Sequence, residues 1–171
     1  EKMTYTKTHF ENLLMQEGYS SGGATGSAKE YFDAQFKGHY QFHFEVSDII
    51  TLDKEMSYYG GNSADGGDRN PHMMVIEACQ LADADIDFKK FDQDGDGEVD
   101  NVFVFFAGRD EAEGGGDDCI WSHSWYIRDG AGRNLVLDGV RINRYACSSE
   151  LRLSANNQPA MASIGTFCHE Y

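Results

Sequence analysis

Two stretches carry residue types and spacings that could do chemistry. The first is Gly165-Thr-Phe-Cys-His-Glu-Tyr171, which reads as the opening of the HExxH helix of zinc hydrolases, cut after its third residue. Residues four apart on a helix share a face, so in the full pattern two imidazoles reach one zinc at roughly 2.0–2.1 Å while the glutamate activates a water. His169 would be the first ligand and Glu170 the general base. A His-Glu pair standing alone is as readily a pair on a helix surface.

The second stretch is Asp92-Gln-Asp-Gly-Asp-Gly-Glu-Val-Asp100, with carboxylates at loop positions 1, 3, 5 and 9 and Gly97 where the turn needs a positive φ. Calcium takes six to eight oxygens at roughly 2.3–2.6 Å, and this spacing wraps Asp92, Asp94, Asp96 and Asp100 around one centre while Glu98 offers its backbone carbonyl. The bland alternative is a solvated acidic turn, in which five acids within nine residues repel one another. An EF-hand would carry a bidentate glutamate at its twelfth position, but Phe103 stands there, inside an apolar run. The loop is therefore expected to be a structural clamp with a further ligand from elsewhere, followed by a strand.

Other candidate ligands are weaker. His39 and His43 are four apart, but on an expected strand that spacing spans about 13 Å, too far for one zinc. His123 lies between Trp121 and Trp125 and reads as a core or rim histidine. Cys168 beside His169 is as easily a packed thiol as a reactive one. No Ser-His-Asp arrangement and no phosphate-cradling G-x-x-x-x-G-K-[ST] stands out.

Charge narrows the classes of partner. Fourteen basic against 29 acidic residues give a formal charge of −15, which repels nucleic acids and anionic membranes and favours cations. Thirteen of the acids fall between Asp83 and Asp118, with only Lys89, Lys90 and Arg109 to balance them. No apolar run approaches the length of a membrane span. Cys79, Cys119, Cys147 and Cys168 contain no C-x-x-C pair, so two disulfides in any of three pairings, or four buried thiols, are equally compatible.

The elements that must position these residues fit one domain of 171 residues. Thr8-His-Phe-Glu11 and Ser27-Ala-Lys-Glu30 match capping boxes, predicting helices to about Gly18 and Gly38. Tyr40, Phe42, Phe44 and Val46 alternate with polar residues as in a half-buried strand, and a second strand is expected over 48–52. Pro71 opens a helix to about Ala84, with Met74, Ala78 and Leu81 along one face. Val102-Phe-Val-Phe-Phe106 is suited to a strand buried on both faces, central in a sheet. Alternation over Ile120–Ile127 and the turn signal Asp138-Gly139 between Leu135–Leu137 and Val140–Ile142 add a strand and a hairpin.

An ordered series of short motifs then resembles a known family. Phe10-Glu-Asn-Leu-Leu14, Gly26-Ser-Ala-Lys-Glu-Tyr-Phe32, Tyr58-Tyr-Gly60, Asp87-Phe88, Asp92 to Asp100, Phe106-Ala-Gly108, Ile120-Trp-Ser-His123, Glu150-Leu151 and Gly165 to Glu170 are similar, in that order, to bacterial zinc metallopeptidases of the immune inhibitor A type. The resemblance implies an α/β (α+β) fold, a zincin-like metalloprotease domain with a twisted mixed sheet and helices. His169 matches the first zinc ligand and Glu170 the catalytic base. The second histidine of HExxH would fall two positions after Tyr171, so residues 1–171 are expected to be one domain, the N-terminal portion of a catalytic domain. It is expected to be incomplete at the C-terminal end, and at the N-terminal end too, where members carry a core strand ahead of the Phe10 helix.

The function implied is a secreted zinc-dependent endopeptidase acting on proteins or peptides, with structural calcium and an extracytoplasmic location that favours disulfides. The fragment alone is expected to be inactive. The alternative is a non-catalytic, calcium-stabilised extracellular binding module.

Overall fold

Helices open the chain where the capping signals place them, with one exchange of partners. The computed structural model describes residues 2–171. Helix α1 (Lys7–Met15) is capped by Thr6 rather than Thr8: the Thr6 hydroxyl lies 2.8 Å from His9 Nδ1, and the Thr6 N–H donates to the same nitrogen at 3.3 Å. An imidazole here takes the place expected of Glu11. Helix α2 (Ala28–Phe36) has the expected box, with Ser27 N–H donating to Glu30 Oε2 at 2.8 Å. Lys37 adopts a left-handed φ of 52° at its end.

After the short α3 (Met56–Tyr59), α4 (Pro71–Ala82) starts with Pro71 as expected. Asn70 does not cap it, because its side-chain amide donates to the Tyr58 carbonyl at 2.8 Å. The buried face of α4 is Met74, Val75, Ile76, Cys79 and Ala82, whereas Leu81 is 55% exposed. The expected stripe is thus rotated toward Val75 and Cys79, since α4 is covered from one side by Tyr59 and from another by the sheet core.

The sheet contains β1 (Val102–Arg109), β2 (His123–Tyr126), β5 (Arg144–Leu153) and β6 (Pro159–Met161). Its order is β1-β5-β2, with β6 on the far end of β5. Strand β1 runs parallel to β5, with Val104 opposite Cys147, and β2 runs antiparallel, with His123 opposite the same cysteine. The central strand is therefore β5, not β1. Hydropathy conceals it, because Ser148, Ser149 and Glu150 are buried there beside Tyr145, Ala146 and Cys147. The alternation read over Ile120–Ile127 shortens to β2, and Ile127 instead begins α5 (Ile127–Ala131).

Strands β3 (Leu135–Leu137) and β4 (Val140–Ile142) form the predicted hairpin, and Asp138 and Gly139 both take positive φ, 51° and 81°. That pair of angles gives a turn whose twist matches the strands.

The residues expected to form strands over 40–46 and 48–52 belong to no ladder among the described residues. Residues 43–52 line a groove of about 840 Å³, and Asn101 with β1 from Val102 to Ala107 lines it too. Paired strands lie about 4.8 Å apart, and the groove holds these two beyond that reach. The last helix, α6 (Ile164–Glu170), packs in a second apolar cluster with Leu14, Phe32, Phe44 and Phe167.

Candidate functional site

Helix α6 begins at Ser163, whose hydroxyl accepts from Gly165 N–H at 3.4 Å. Phe167 and Tyr171, four apart, turn inward together, with ring centroids 5.2 Å apart. Phe167 packs against Phe103, Phe105 and Phe44. Each helical residue advances about 100°, so His169, two positions beyond Phe167, points away from the core. It is exposed, and neither ring nitrogen has a hydrogen-bond partner among the described residues. An imidazole left free in this way fits the role of a metal ligand. Among the described residues, no set of three His, Cys, Asp or Glu ligands forms around it.

Glu170 is half-buried, and its charge is felt at His123 on β2 and Cys147 on β5. His123 is held from both sides: Nδ1 lies 2.7 Å from the Trp121 carbonyl, which must accept, and Nε2 lies 3.0 Å from the Tyr145 hydroxyl. With Nδ1 protonated, Nε2 accepts from Tyr145. Burial lowers the His123 pKa, while the Trp121 carbonyl and Glu170 pull it the other way. The His123–Tyr145 pairing escaped sequence reading, because Tyr145 sits on the strand that hydropathy concealed.

Cys79, Cys147 and Cys168 are held as thiols rather than as nucleophilic thiolates. Burial pushes Cys79 up to about 12 and Cys168 up to about 11. Cys147 moves in the same direction, chiefly through burial.

The acidic loop lies against the β3–β4 hairpin. Carboxylate oxygens of Asp92, Asp94 and Asp96 lie within 4.8 Å of one another. Gly97 N–H donates to Asp92 Oδ2 at 3.1 Å and Glu98 N–H to Asp96 Oδ1 at 2.8 Å, and Gly97 takes the φ of 82° that the turn requires. The second Asp92 oxygen is buried with no donor, an arrangement that suits a cation. Asp100 stands outside this group of three, accepting from Gln93 N–H at 3.4 Å. The Glu98 side chain pairs with Arg141 at 3.3 Å, and Val99 N–H donates to the Arg141 carbonyl at 2.8 Å, so the loop is pinned to β4.

Residues 2–171 match the family model described as immune inhibitor A peptidase M6, catalytic domain. The chain belongs to this family. It is 26% identical over 192 residues to immune inhibitor A of Bacillus thuringiensis subsp. alesti, covering 98% of this chain and 28% of that protein. It is 30% identical over 193 residues to the pre-pro-metalloprotease PrtV of Vibrio cholerae serotype O1, covering 98% of this chain and 20% of that relative. The chain thus spans less than a third of the length of the curated relatives it matches. Six helices around a mixed sheet agree with the catalytic domain of an immune inhibitor A-type metallopeptidase. No helix among the described residues is long and apolar enough to cross a membrane.

Proposed function

We propose that this chain is the N-terminal portion of the catalytic domain of a secreted, zinc-dependent endopeptidase that hydrolyses peptide bonds in proteins, with Glu170 as general base. The observation that carries this reading is the orientation of α6, which buries Phe167, frees His169 and turns Glu170 toward β2 and β5. His169 would hold zinc together with further ligands, and the metal, when bound, supplies polarisation of the scissile carbonyl. The Glu170 carboxylate takes a proton from the attacking water and delivers it to the leaving amine.

Among the described residues, strand β2 pairs on one side only, with β5. Its other edge offers backbone donors and acceptors to an extended peptide, the mode by which a substrate strand adds to a sheet. Calcium at Asp92, Asp94 and Asp96, with Glu98 and Asp100 completing the loop, would hold the chain between the 88–91 turn and β1. The alternative of a calcium-stabilised binding module accounts for this loop but not for the disposition of α6.

The test uses the longer protein. Glu170→Gln should abolish hydrolysis of a protein substrate while zinc content stays equimolar. Retained hydrolysis, or loss of zinc, would count against Glu170 as the base. Residues 1–171 alone should show little or no hydrolysis.

A further inference from the structure

The loop before α4 and the segment leading into β2 meet at a cluster remote from the Asp92 loop. Asn62 and Asp68 face each other across an isolated antiparallel bridge, so their side chains stand on the same face. The Asn62 amide donates to Glu111 Oε1 at 3.1 Å, and Trp121 N–H donates to Asp68 Oδ2 at 3.1 Å. The remaining oxygens, Asn62 Oδ1 and Asp68 Oδ1, are both buried without a donor. The Asp68 side chain is only 7% exposed.

Among the described residues, no lysine or arginine forms an ion pair with either carboxylate. His123 Nδ1 lies 3.9 Å from Asp68 Oδ2 but is committed to the Trp121 carbonyl. Arg69 uses its Nε–H on the Asn62 carbonyl at 3.1 Å. Burial first, and Glu111 in addition, push the Asp68 carboxyl up to about 6 against the pull of the Trp121 N–H.

We propose that Asn62, Asp68 and Glu111 bind a calcium ion, at a site separate from the Asp92 loop. The donors are hard oxygens, two of them from carboxylates, and the burial of Asn62 Oδ1 and Asp68 Oδ1 without a donor suits an ion held at roughly 2.3–2.6 Å, closer than a water would sit. Magnesium keeps several waters in a strict octahedron, which this largely buried set of side chains from two separate loops serves poorly. Bound calcium ties the 60–70 loop to the 111–121 segment and so fixes the start of β2, where His123 lies within the field of Glu170. The binding does not depend on the peptidase reading.

Terbium, a calcium substitute, reports this site directly, because Trp121 adjoins Asp68 and the chain has only two tryptophans. Residues 1–171 are titrated with Tb³⁺ while its emission is excited through tryptophan, and calcium stoichiometry is measured by equilibrium dialysis. The expected result is tryptophan-sensitised emission that calcium displaces. Affinity should fall about tenfold or more in Asp68→Asn and in Glu111→Gln, with one calcium fewer bound. The emission should persist in the double variant Asp94→Asn/Asp96→Asn, which disables the other loop. If Asp68→Asn fails to fold, Glu111→Gln at its half-exposed position carries the test. Unchanged affinity in Glu111→Gln, or loss of the emission in the Asp94/Asp96 variant, would overturn the proposal.

Discussion

Phe167 of α6 and Phe103 of β1 pack with ring centroids 4.5 Å apart and planes inclined at 53°. Phe103 occupies the position where a calcium-sensing loop would place its last ligand, so the same residue ends the acidic loop and seats the helix bearing His169 and Glu170. Phe167→Ala should cost about 3–5 kcal/mol, as for other fully buried aromatics. Chemical denaturation measures this, and a loss under about 1 kcal/mol would mean that α6 is held elsewhere.

Glu150 is buried on β5, yet its carboxylate is well supplied. Thr4 N–H lies 2.9 Å from both oxygens, and Tyr5 and Gly108 N–H groups donate at 3.1 Å each. Glu150→Gln turns an amide NH₂ against these donors. It should destabilise by about 1–3 kcal/mol or more. Hydrogen exchange at Thr4, Tyr5 and Gly108 should quicken, and unchanged exchange there would argue against the staple.

Gly130 of α5 lies against His72 of α4: a Cβ at Gly130 would stand about 2.3 Å from His72 Nδ1. Gly130→Ala should therefore lower the melting temperature by forcing the ring aside, at a cost of about 1–3 kcal/mol. His72→Ala in the same chain should recover part of that loss.

Burial lowers the His72 pKa below its ordinary 6.5. In the window just below 6.5 the unfolded chain binds more protons than the folded one, so stability rises with pH through that window and falls on acidification. His72→Gln should make that fall shallower between about pH 5 and 7, with the depressed His123 retaining the rest. An unaltered pH profile would show that His72 titrates normally in the folded chain.

Removal of calcium should lower the melting temperature by roughly 5–10 °C, the shift expected when a ligand at about a hundred times its Kd is withdrawn. Asp94→Asn/Asp96→Asn should reduce the effect of EDTA. A melting temperature indifferent to EDTA in the parent chain would rule out structural calcium.

Local signals were legible wherever a few neighbouring residues satisfy one another. Ser27 with Glu30, Pro71 at the start of α4, and Asp138-Gly139 in the hairpin all stand where the sequence predicts them. The Gly97 turn does too, because each depends on contacts within a few residues. Legibility failed at β5, where Ser148, Ser149 and Glu150 are all buried and Glu150 is held by partners, Thr4 and Gly108, that lie far away in the chain. It failed again over 40–52, whose alternation is that of a strand but whose ladder requires a neighbour at strand spacing.

Residue order by itself determined the family, the placing of His169 and Glu170 on one helix, and the crowding of carboxylates at Asp92 to Asp96. The ordered motifs carried the family, and the other two follow from helical periodicity and loop spacing, both local. Only the tertiary structure decided that Phe167 faces the core, leaving His169 to solvent and Glu170 toward His123. It alone brought Asn62, Asp68 and Glu111 together. Which way a helix face turns, and which distant side chains meet, depend on what packs against them rather than on spacing.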